Sequence, residues 1–348
     1  MIATSSLQQD PVTIPVRPFG PVVRSVAGYG LLLALMFISP LFVFVPAAIF
    51  HCGIRHRRWA TVGALAIGTA LAGLLALQTG RGPAAGTDAL MGYSYLAALV
   101  LAVAIPALLV LPMVERSEAF GRVLVTALLA SLVGLAVTEL GTQLITGISP
   151  YREQVVRAHQ TAAKFVTTYK EAGMPSDAVG TLGRWMDVGI SCLPGFFLID
   201  VALVFVLSLV MFGRVKAWRQ FVTTREAAGA ATTTPYLFRN LSLPEWLLFA
   251  FVIGGMTPLA TGILQKVAAN VLAIVVFLYL LQGLAIFRSL LVAVGAGFMG
   301  VMFGYLVLAF LTITGIAPLL LSIAGLFDSF FDFRHFRRKD HSDESHPH

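Results

Sequence analysis

Charge is scarce in this chain. Asp, Glu, Lys and Arg make up 12% of its 348 residues, about half the share, near 25%, of an ordinary soluble domain. Cysteine is scarcer still: Cys52 and Cys192 have no neighbours at ligand spacing, which excludes a disulfide framework and thiol chemistry. Absent too are a phosphate-cradling glycine loop with its lysine, a His-Glu-x-x-His pair and a Gly-x-Ser-x-Gly elbow, so the chain carries no signature of its own ATPase, zinc protease or serine hydrolase. His51, His56, His159 and His335 are scattered rather than spaced for a metal, and no cofactor is expected.

What is present is apolar sequence, 57% of the residues, gathered in blocks. A membrane-crossing helix needs about 20 apolar residues. The stretches 59–77, 93–113, 123–138 and 267–287 lack the polar face that a buried soluble helix keeps, so the expected class is all-α, a polytopic transmembrane helix bundle. The net charge of +7 sits in short loops beside these blocks. That placement suits anionic lipid and the insertion machinery, and it argues against nucleic acid as a partner.

About eight to ten membrane segments are expected, at 25–38, 41–52, 59–77, 93–113, 123–144, 190–212, 246–263, 266–287, 289–310 and 312–327. Ten segments, with Pro40 turning the first hairpin and Gly315 to Pro318 breaking the last, place most Lys and Arg residues and both termini on the cytoplasmic side. Residues 1–22, with Pro11, Pro15, Pro18 and Pro21, read as a disordered leader, 23–334 as a single transmembrane domain and 335–348 as a disordered tail. Val155, Ala158, Ala162, Phe165 and Tyr169 recur at helical spacing and predict an external amphipathic helix over 151–171, capping the spans or resting on headgroups. The basic stretch 213–243, with Thr- and Ala-rich sequence at 228–234, reads as a cytoplasmic loop linking two halves.

Two sets of small residues predict close helix packing. Ala293, Gly297, Gly300 and Gly304 fall on one helical face, as do Gly63, Ala66, Ala70 and Gly73. The end of the chain, rich in Phe and Arg around Asp328 and Asp332, reads as an interface anchor in which a carboxylate pairs with Arg334 or holds a cation.

Asp200 is the most pointed candidate for function. It lies inside the apolar stretch 193–212, where an ionised carboxylate costs about 2.5 to 3.5 kcal/mol on insertion scales. Toward the outer leaflet, Glu139, Gln143, Arg184, Asp187, Lys266 and Asn270 share a depth, with Tyr279 and Gln282 deeper, and permit an outward polar pocket with Asp200 as its floor. Pro194 and Gly195 can break the helix there and free backbone groups for a ligand. Packing without a ligand is the alternative use of all these residues.

Four stretches carry a resemblance. Leu193, Pro194 and Gly195 before a polar-interrupted span, the returning Leu243, Pro244, Glu245 and Trp246, the Asn270 span ending Leu-Gln-Gly-Leu-Ala-Ile-Phe at 281–287, and the closing Gly-Leu-Phe-Asp-Ser-Phe-Phe-Asp-Phe-Arg at 325–334 resemble the YybS-like family of bacterial membrane proteins. The resemblance spans about 22–334 and implies a bacterial inner membrane, a polytopic helical fold and a cytoplasmic C-terminus, without an activity. The short first hairpin and small-residue helix also look like the substrate-binding membrane components of vitamin transporters. Three functions are carried forward: binding or transport of a small solute or ion without an ATPase, a scaffold that engages a membrane-protein partner or a second copy amid membrane lipids, and an intramembrane lipid-modifying enzyme.

Overall fold

The computed structural model describes residues 19–56, 58–79, 85–227 and 236–331. The expected Thr- and Ala-rich stretch, most of the leader and the tail beyond 331 lie outside these residues. In hydrocarbon every backbone N–H and C=O must find a partner within the protein, and a helix does this within one segment. Among the described residues the chain accordingly forms helices and no strand.

The first turn pair is α1 (Phe19–Phe37), a 3₁₀ turn at Pro40–Phe44 and α2 (Val45–Arg55). Next come α3 (Arg58–Thr79), α4 (Ala85–Leu99), a π-helical turn at Val100–Ala104, α5 (Ile105–Glu115) and α6 (Phe120–Thr146). A hairpin of α7 (Pro150–Glu171) and α8 (Ser176–Ser191) leads into α9 (Leu193–Arg214) and α10 (Lys216–Ala227). The last third holds α11 (Leu247–Gly255), α12 (Gly262–Ala293), α13 (Phe298–Ile313) and α14 (Ile316–Phe331). Five helical rods are long and apolar enough to cross a membrane: α3, the joined α4–α5, α6, α9 and α12. A sixth crossing exists if α13 and α14, bent by 109°, count as one; α1, α2 and α11 are shorter apolar helices. The all-α polytopic bundle expected from composition is the fold observed.

Helix α9 sits at the centre, packed against α2, α6 and α12. Around it Phe50, Leu111, Leu124, Phe205 and Leu209 are fully buried. Glycines set how closely the helices approach. A methyl placed on Gly134 of α6 would fall 2.0 Å from the Leu101 carbonyl oxygen, and one on Gly283 of α12 would fall 1.9 Å from that of Leu321. Leu101 belongs to the π turn, which has a local cause: Pro106 has no N–H and its ring crowds the carbonyl four residues back. The ladder there widens, with the Ile105 N–H donating to Val100.

Two packing expectations are corrected. Ala293, Gly297, Gly300 and Gly304 do not share a helix: α12 ends at Ala293, Gly295 turns with φ 71° and Gly297 caps the start of α13. The close pair at this end is α12 with α14, where Gly325 lies against Tyr279 and Gly283, Gly283 against Leu321, and Gln282 beside Asp328. On α3 the face toward α1 carries Ala64, Gly68 and Ala72, whereas Ala66 and Ala70 are exposed.

The two connecting pieces also differ from expectation. Helix α7 forms as its periodicity demands, but no α7 residue is buried; it packs along α8 and meets α6 near their joining turn, so it does not cap the spans. The stretch 213–243 is not a simple linker. Its Trp218, Tyr236 and Leu241 are buried, and a chain of rings runs from Phe50 through Phe212, Trp218 and Tyr236 to Phe120 at centroid distances of 5.1 to 5.9 Å. Burial, with the charge of Glu118 adding, pushes the Tyr236 phenol above its ordinary range. Gly121 and Gly213 make room for this return, with Cβ positions 1.9 Å and 2.5 Å from the carbonyl oxygens of Ser242 and Tyr236.

These approaches predict a contrast in stability. Gly134→Val and Gly283→Leu overpack backbone against backbone and lose about 1–3 kcal/mol or more, read as a lower thermal midpoint in detergent. Gly141→Ala, with nothing within 4 Å, stays within about 0.5 kcal/mol of the wild type.

Candidate functional site

The sequence candidates divide into groups that the fold uses on its own backbone, groups exposed on the α7–α8 hairpin and near helix ends, and one carboxylate exposed along an apolar helix. Asn270 of α12 belongs to the first. The chain breaks at Cys192, between α8 and α9, and a helix break leaves donors at one end and acceptors at the other. Asn270 serves both: its Oδ1 accepts from the Gly195 N–H at 2.6 Å, and its Nδ2 donates to the Ser191 carbonyl at 3.0 Å and to Lys266 at 2.7 Å. The break that Pro194 and Gly195 lead one to expect is present, and its freed groups are held by an amide that matches them. Gly195 is required for the approach, since a Cβ there would lie 2.8 Å from Oδ1.

Glu139 has a similar role at the start of α7. It accepts from the Ser149 hydroxyl and from the Tyr151 N–H (3.0 Å), so a carboxylate sits at a helix N-terminus, where the backbone dipole favours it. Gln143 is exposed. Arg184 donates to Thr181 at 3.3 Å and Asp187 lies 3.7 Å from His159, both on the exposed faces of the α7–α8 hairpin. Lys266 is exposed at the start of α12. These six residues therefore do not close into one pocket over Asp200.

Deeper along α12, Gln282 is fully buried and ties three segments together. Its Oε1 accepts from the Leu243 N–H at 3.0 Å and its Nε2 donates to Asp328 Oδ2 at 3.0 Å. Tyr279, one turn back, is buried with its ring edge-on to Phe251. Asp328 is the residue whose place the sequence left open; it is 8% exposed and its carboxylate meets Gln282. At the same end of the bundle the Tyr29 hydroxyl and His51 Nδ1 share a hydrogen bond of 2.5 Å, and Arg58 pairs with Glu115. No group of three metal-ligating side chains occurs among the described residues.

Asp200 is set apart by its place within an apolar helix. It is exposed on the outer surface of α9 and makes no hydrogen bond or ion pair among the described residues. Because α9 begins at Leu193, it lies seven residues, about 10 Å, into the apolar helix rather than at its middle. A pocket of about 430 Å³ does exist, lined by Phe37, Pro40, Phe42, Ala72, Tyr95 and Leu96, and none of the candidate residues contributes to it.

The two staples make opposite predictions for isosteric and apolar changes. Asn270→Leu strands the Gly195 N–H and the Ser191 carbonyl and costs about 1–3 kcal/mol, seen as a lower thermal midpoint. Asp328→Asn keeps an acceptor for Gln282 and stays near the wild type, while Asp328→Leu falls by a similar amount.

Comparison with known proteins adds a family and no activity. No curated protein and no solved structure matches the chain. The family described as "Predicted membrane protein (DUF2232)" matches residues 29–329. That span takes in every helix from within α1 to within α14, and the chain belongs to this family of predicted membrane proteins.

Proposed function

We propose that this protein is a non-catalytic component of a bacterial inner membrane that holds a partner membrane protein in an assembly. The observation that supports this reading is the outward position of Asp200, in contrast to Asn270, Glu139 and Gln282, which bond the protein's own backbone. A polar group that closes a helix break is structural; a carboxyl left on an apolar surface calls for something beyond the chain. Solute transport through a site at Asp200 needs a cavity there, and the pocket near Tyr95 and Phe42 is apolar and elsewhere. Lipid-modifying chemistry needs a second convergent group, and Asp200 has no bonded neighbour that would serve.

Extraction with native lipid in polymer nanodiscs, followed by native mass spectrometry, tests the assembly role. The expected species contains this chain and a second membrane protein at fixed stoichiometry, recovered also when the tag is on that partner. A chain found alone, or alone with a tightly held solute that Asp200→Asn releases, overturns the proposal and, in the second case, restores transport.

A further inference from the structure

Resting on that assembly role, we infer that the exposed stripe of α9 is the docking face for a transmembrane helix of a different protein, one that brings a Lys or Arg to the level of Asp200. The stripe is Phe196, Asp200, Leu203, Leu207 and Met211, at spacings of four, three, four and four, all exposed. The residues between them, Val201, Ala202, Val204, Phe205, Ser208 and Leu209, are buried in the bundle. Of the five long apolar rods, α9 is the most enclosed, with 56% of its apolar window buried. The stripe is thus an exposed line along a central helix, with apolar positions at the repeat that a helix partner reads.

Charge decides what fills it. A short carboxyl side chain about 10 Å along an apolar helix is costly in lipid, and an opposite charge or strong donor beside it removes the penalty. Among the described residues no such group lies beside Asp200. With Gly195 beside Asn270, and α9 and α12 running the same way, the two basic residues of α12 fall at its ends: Lys266 level with Ser191, Arg288 level with Gly213. A second copy inserts in the same orientation and brings its own Asp200 to the same depth, so a symmetric pair through this stripe sets carboxyl against carboxyl. The complementary charge belongs to another protein.

Photo-crosslinking in the native membrane tests the face and the charge separately. A benzophenone side chain in place of Leu203 or Leu207 is expected to form an adduct whose peptide maps to a transmembrane segment containing Lys or Arg, whereas Leu129 and Val133, exposed on α6, do not form it. Asp200→Glu retains the adduct. Asp200→Leu lowers its yield about tenfold or more without lowering the thermal midpoint, and Asp200→Lys combined with an acidic residue at the partner's basic position restores it. Adducts to lipid alone, to a second copy, to a helix with no basic residue, or at equal yield from the α6 positions overturn the inference. So does indifference to Asp200→Leu. A stable partner in nanodiscs with no adduct at Leu203 or Leu207 removes this face and leaves the assembly role standing; no partner at all removes both.

Discussion

Backbone that leaves a helix inside a bilayer has no water to bond to, and this protein is organised around that shortage. Three irregular places are met by particular side chains. Asn270 spans the break at Cys192, Gln282 takes the Leu243 N–H where the chain returns to the bundle, and the Ser208 hydroxyl reaches the Val43 carbonyl in the 3₁₀ turn before α2. Asn270, Glu139 and Gln282, which look like binding-site residues in the sequence, are thereby accounted for as repairs to the main chain. Arg184, Asp187, Gln143 and Lys266 lie exposed on the α7–α8 hairpin and near helix ends, and Asp200 is the carboxylate left within an apolar helix.

Close approach is the second condition of the fold, and it follows from the first. Apolar helices in lipid gain little from leaving it, so contact rests on van der Waals packing and on interhelical hydrogen bonds. The bonds of Gln282 reach Asp328 because Gly283 and Gly325 let α12 and α14 nearly touch. In the same way Asn270 reaches the α8–α9 break because Gly195 presents no side chain. Glycine and amide act as a pair at both places.

Long apolar runs made the helices legible, and the three-and-four periodicity of Val155, Ala158 and Ala162 marked α7. The boundary between α12 and α13 was not legible, since glycines spaced for packing and glycines placed for a turn read alike until Gly295 shows its positive φ. Nor did charge reveal the stretch 213–243: its basic residues suggest solvent, while Trp218 and Tyr236 among them are buried. For the candidate site, depth could be read from residue order, but facing could not. Whether Asp200 looks inward depends on which helices surround α9, and the partners of Gln282 lie 39 and 46 residues away.

The bonds of Gln282 also order the protein's assembly in time. Helices α1 and α3 find each other within the first 79 residues, so that pair can form as soon as both have entered the membrane. The seat of Leu243 against α6 waits for Gln282, and Gln282 waits for Asp328 near the end of the described chain. In chain order the buried Gln282 amide is therefore made before the last of its partners, and α14 is the helix that supplies it.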